Sequence, residues 1–155
     1  YKLIENLKRE IQLNGATIVG NLQKVTNITG AGGSTTLTAA DSGTVYLVDS
    51  SGGSHAFTLP ALTAGFNIEV IITVLSDEDV TIVAPADNMI MSARDFTGSG
   101  AAQVHTTDTV TTFRINADTV NAVVGTRARV YCDGTNYVVI ATSDSQNASA
   151  IFATS

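Results

Sequence analysis

The sequence predicts an all-β protein: a β-sandwich or jelly-roll-like domain preceded by a short N-terminal α-helix. Three observations carry this expectation. The chain is rich in threonine and valine and has only two prolines among 155 residues, a bias that suits a pleated, half-buried surface. Short apolar or alternating runs recur, with turn residues between them. Helical periodicity occurs only near the beginning, so nothing marks alternating βαβ units.

The helix is expected over residues 2–13. Leu3, Ile4, Leu7 and Ile11 recur at spacings of three and four and form one apolar stripe. Asn14-Gly15 then supplies a stop, with glycine able to take the left-handed cap. Twelve residues are marginal for an isolated helix, so this one must lean on something. Ile4, Leu7 and Ile11 fit the seam of a coiled coil, and equally a helix packed on its own domain. Ala16–Val19 and Leu22–Ile28 read as extended, and Ala31-Gly32-Gly33-Ser34-Thr35 as a flexible joint. Residues 1–30 are therefore expected to be an attachment or oligomerisation lead-in, and residues 31–155 the sandwich body.

Within the body the expected strands follow in order. Thr44–Val48 precedes a turn over Asp49–Ser54, and His55–Leu59 alternates up to Pro60. Asn67–Leu75, nearly continuous in apolar residues, is expected to be the longest and central strand. Ser76–Asp79 turns it into Val80–Val83, and Met89–Met91 follows another turn. Val110–Ile115 and Thr119–Val124 come next. Arg127–Tyr131 alternates strictly, with its arginines on one face. Asp133-Gly134 is a hairpin signal because glycine meets the positive-φ requirement. Tyr137–Ala141 returns, and Ile151-Phe152 adds a last strand. No tandem repeat is visible.

Composition narrows the function classes. Only 14% of residues are charged, against roughly a quarter in ordinary domains. Such a neutral, polar surface suits packing against copies of itself or on a crowded particle. The net charge is −6. Lys2, Lys8, Arg9 and Lys24 outnumber Glu5 and Glu10 in the lead-in, whereas the remainder sets four arginines against twelve acids. An acidic body argues against nucleic acid, which needs clustered cations. The single cysteine, Cys132, allows no intrachain disulfide and no cysteine-based zinc site; a buried, inert thiol is expected. No apolar run approaches bilayer length, and no signal peptide is visible. A start at Tyr1 rather than Met points to a processed product, a fragment or part of a longer chain.

Three segments resemble modules of phage tail-fibre, head-fibre and capsid-decoration proteins. They are Thr36-Leu37-Thr38-Ala39-Ala40-Asp41-Ser42-Gly43-Thr44, Phe57-Thr58-Leu59-Pro60-Ala61-Leu62-Thr63-Ala64-Gly65, and Arg129-Val130-Tyr131-Cys132-Asp133-Gly134-Thr135-Asn136-Tyr137-Val138-Val139. The resemblance spans residues 36–142. The terminal hairpin of such modules often carries Trp, where Tyr137 stands here. The resemblance implies a β-sandwich knob, commonly trimeric, at a particle surface, and no catalytic residues.

The catalytic motifs sought are absent: there is no G-x-S-x-G elbow, P-loop or H-E-x-x-H, and Gly30–Thr35 lacks the last glycine of a dinucleotide fingerprint. His55 and His105 are expected as surface or half-buried strand residues. Asp77-Glu78-Asp79 is expected as a solvated hairpin tip rather than a calcium loop, since it lacks spaced ligands. Tyr46, Phe66, Phe96, Tyr131 and Tyr137 could serve glycan binding, but core packing is the simpler expectation for most of them. No cofactor and no metal are expected.

The expected function is thus a non-enzymatic virion-surface protein, a capsid decoration (cement) or head-fibre protein. Its expected partners are copies of itself in a homotrimer, a major capsid protein or other virion proteins, and a host-surface glycan, with no nucleic acid and no membrane. Leu3, Ile4, Leu7 and Ile11 are the expected oligomerisation and attachment residues. The alternatives are a receptor-binding tail-fibre knob and, on a different class of chemistry, a glycan-acting enzyme using two carboxylates.

Overall fold

The structure is a computed structural model that describes residues 23–30, 32–76, 78–96, 102–116, 123–143 and 152–154. The expected helix over 2–13, with Leu3, Ile4, Leu7 and Ile11, lies outside these residues, as does most of the expected strand Thr119–Val124. The described strands are β1 Lys24–Ile28, β2 Gly33–Thr36, β3 Thr44–Asp49, β4 His55–Thr58, β5 Asn67–Val74, β6 Asp79–Val83, β7 Met89–Phe96, β8 Ala102–Val110, β9 Thr112–Asn116, β10 Arg127–Cys132, β11 Tyr137–Ser143 and β12 Phe152–Thr154. A 3-10 turn, Ala39–Asp41, precedes β3. The protein is all-β, as the composition predicts.

Two mixed sheets enclose one core. One has seven strands in the order β1-β3-β5-β10-β11-β7-β8, the other five in the order β12-β9-β6-β4-β2. The first half of the chain alternates between them: β1, β3 and β5 run parallel in one sheet, and β2, β4 and β6 run parallel in the other. Each sheet-to-sheet circuit takes 20–25 residues, since Lys24 faces Thr44, Thr44 faces Ile68, Gly33 faces His55 and His55 faces Val80. This is a wound, coil-on-coil arrangement, with strands β7–β12 added beside it through mostly antiparallel pairings and one parallel pairing, β7 with β11. The sequence carries no repeat because stacking requires only matched register, which different side chains can satisfy.

The winding explains three departures from expectation. The stretch expected as a flexible joint contains β2, because Gly33–Thr36 pairs with β4. The last part of the expected lead-in is β1, paired along its length with β3. The acidic corner between β5 and β6 crosses between sheets, so it is no hairpin tip. There Glu78 accepts a hydrogen bond from Ser54 Oγ at 2.7 Å, and Asp79, already in β6, pairs with Arg114 at 3.0 Å. Hydrogen bonding continues through stacked corners: Gly32 N donates to Gly52 O at 3.1 Å and Gly33 N to Ser54 O at 3.0 Å.

Alternation then fills the core. In β10, Ala128, Val130 and Cys132 point inward while Arg127, Arg129 and Tyr131 point out. Facing them from the five-stranded sheet are Phe57, Val80, Ile82, Phe113 and Ile115, all fully buried. Burying each such side chain contributes about 1.5–3 kcal/mol before entropy is counted. Tyr46 and Phe57 meet across the layers with ring centres 5.0 Å apart. Strand β5 lies third of seven and is shorter than the nine-residue β8.

Candidate functional site

The three segments that carry the resemblance meet in one hydrogen-bonded unit. Leu37 N donates to Thr58 O at 2.8 Å, joining the first to the second. Gly65 N donates to Cys132 O at 2.9 Å, and the Tyr137 hydroxyl donates to Pro60 O at 2.8 Å, joining the second to the third. The tip of the β10–β11 hairpin lies so close to the second segment that a Cβ on Gly134 would sit 3.3 Å from Ala64 Cβ. The Asp133 carboxylate accepts from Thr135 N and Asn136 N at 2.7 Å each. Those backbone donors stabilise the charged form and hold its pKa below the ordinary carboxylate value.

The outer face of the seven-stranded sheet carries the exposed chemistry. One row runs Val25, Val45, Glu69, Arg129, Ile140, Ser92 across successive strands, and the next runs Asn67, Tyr131, Val138, Ile90. Val25, Ile90, Tyr131 and Ile140 are exposed there. Glu69 is only 9% exposed, although it points away from the core. Arg129 Nε donates to its Oε1 at 3.1 Å, and Arg127 Nη1 lies 4.0 Å from the same oxygen. This pairing raises the Arg129 guanidinium above its ordinary value, so the cation is fixed. A carboxylate this covered needs such partners, because an unpaired buried charge is costly.

Two recesses flank Arg129. One of about 240 Å³ is lined by Gln23, Asn67, Ile68, Glu69, Arg129 and Tyr131. The other, of about 180 Å³, is lined by Arg127, Arg129, Ile140 and Thr142. Of the aromatic residues considered for ligand contact, Tyr46, Phe66 and Tyr137 are buried, and Tyr131 is 43% exposed beside the larger recess.

The remaining sequence candidates are placed as follows. His55 opens β4 and is buried, with Nε2 2.9 Å from Thr35 Oγ1 and its ring edge-on to Phe57. His105 lies on β8. Cys132 is buried and free. No group of three or more His, Cys, Asp or Glu among the described residues could hold a metal ion. The stripe Leu3, Ile4, Leu7 and Ile11 is outside the described residues.

The sequence reading did not find the Glu69–Arg129–Tyr131 group. Its signal was present in two places: a lone acid inside an apolar strand, and three polar side chains at i, i+2 and i+4 of β10. What was missing was the β5–β10 register that brings them together. Compared with known proteins, the chain matches no family model and no curated protein.

Proposed function

We propose that this chain is a non-enzymatic structural protein of a phage or virus particle, a capsid-decoration or head-fibre protein that self-associates and docks on the virion surface. The observation that carries this reading is the convergence of the three resembling segments into one bonded unit. Residues scattered over 36–142 behave as a single module, as parts of a common surface domain would. Low charge and the exposed aliphatic side chains Ile90 and Ile140 on adjacent strands, with half-buried Val138 beside them, supply a surface suited to packing against another copy. Apolar side chains so placed gain about 25 cal/mol per Å² when covered.

The native mass in solution tests this. A stable homotrimer is expected, and Ile140→Asp should shift it towards monomer without lowering the melting temperature, because that side chain faces solvent. A wild-type monomer that also fails to bind purified capsids overturns the proposal. A receptor-binding knob is the second reading, favoured by the open recess beside Tyr131.

A further inference from the structure

We propose that the recess between β5 and β10 binds a carboxylate-bearing saccharide, with Tyr131 as the stacking platform and Arg129 as the anion fork. The inference stands on this sheet face alone and not on the virion reading. Four features point the same way.

The first is the platform. Tyr131 is the exposed aromatic ring of β10, and it stands opposite Asn67 at the edge of a 240 Å³ recess. A ring with one apolar face and a wet edge suits the C–H face of a pyranose. The second is the polar lining. Gln23, Asn67, Glu69 and Arg129 present planar amide, carboxylate and guanidinium groups, which donate and accept in the paired geometry of vicinal hydroxyls.

The third is rigidity. Glu69 is nearly covered and holds Arg129 by its Nε, so the outward edge of the guanidinium is oriented before any ligand arrives. Asn67 is likewise tied, its Nδ2 donating to Gly65 O at 3.1 Å. The fourth is charge. Two arginines share one carboxylate, which leaves a local positive excess on a chain of net charge −6. A neutral sugar would leave that excess unused, whereas a carboxylate can take two parallel N–H bonds from the arginine fork.

The test titrates the full chain with sialyllactose and with trigalacturonate, using lactose and acetate as controls. Heat of binding and backbone amide NMR shifts are read together. Both acidic sugars are expected to bind, with shifts concentrated at 67–69 and 129–131, and lactose and acetate to bind at least about tenfold more weakly. Tyr131→Ala, at a solvent-facing position, should weaken acidic-sugar binding about tenfold while the melting temperature holds. Arg129→Lys keeps the charge but removes the fork, and should weaken it similarly. No binding by either acidic sugar, equal binding by lactose, equal binding by acetate (an anion site without a sugar), or full affinity in Tyr131→Ala would each overturn the proposal. Should Arg129→Lys fail to fold, Tyr131→Ala decides alone.

Discussion

At the scale of single residues, Tyr137 does most to tie the module together. Its ring is fully buried, packs edge-on to Phe66 with centres 6.2 Å apart, and its hydroxyl donates to Pro60 O. Burial, with a smaller effect from Cys132, pushes its phenol from 10.0 up to about 12. The folded state therefore favours the neutral form. That stability is fully present below pH 10 and is lost as pH rises through about 12. Replacing Tyr137 by Phe should cost about 1 kcal/mol by stranding a carbonyl. It should also flatten part of the decline between pH 10 and 12, leaving the share due to Tyr46, whose phenol burial also raises. Thermal melts of both proteins across that range check this; parallel declines would show that Tyr137 is not the group titrating.

At the scale of elements, the stacked corners are the tightest points. Gly53 has φ 136°, and a Cβ placed on it would lie 2.9 Å from Gly32 Cα in the neighbouring coil. Gly53→Ala should destabilise the fold by about 1–3 kcal/mol, combining backbone strain with the clash. Denaturant titration measures it, and a loss under 0.5 kcal/mol, small on the scale of surface substitutions, would mean the corner yields. Most strands were legible because their side chains alternate or run apolar between Gly, Asp and Ser turns. Thr44–Asp49, His55–Thr58, Asn67–Val74, Arg127–Cys132 and Tyr137–Ser143 all show this. Strand β8, Ala102–Val110, was missed because an edge strand rich in Thr and polar residues lacks that contrast. Strand β2 was missed because Gly33-Ser34-Thr35-Thr36 has turn composition; only its pairing with β4 makes it a strand. Pairing partners are tertiary information, which is also why Glu69 and Arg129, 60 residues apart, could not be joined from the sequence.

At the scale of the whole molecule, β1 and β2 form the outermost coil among the described residues and cover the edges of β3 and β4. Strand edges of this kind invite pairing with other chains when they are left open. A truncation beginning at Leu37 removes that coil and exposes hydrogen-bonding groups beside Val45, Tyr46 and Val48. It should aggregate at concentrations where a chain beginning at Gln23 gives a cooperative melt. Size-exclusion profiles of the two truncations compare them directly, and a well-behaved Leu37 variant would show that the outer coil is dispensable.

The winding also orders assembly in time. A chain made from its N-terminus meets β1 before β3 and β3 before β5, each new strand finding its template 20–24 residues back. Strand β10 must instead return across 60 residues to reach β5. Closing a loop three times longer costs about 1 kcal/mol more in chain entropy. The coils can thus zip in the order of synthesis, and the surface that joins Arg129 to Glu69 is completed only after the third coil stands ready to receive it.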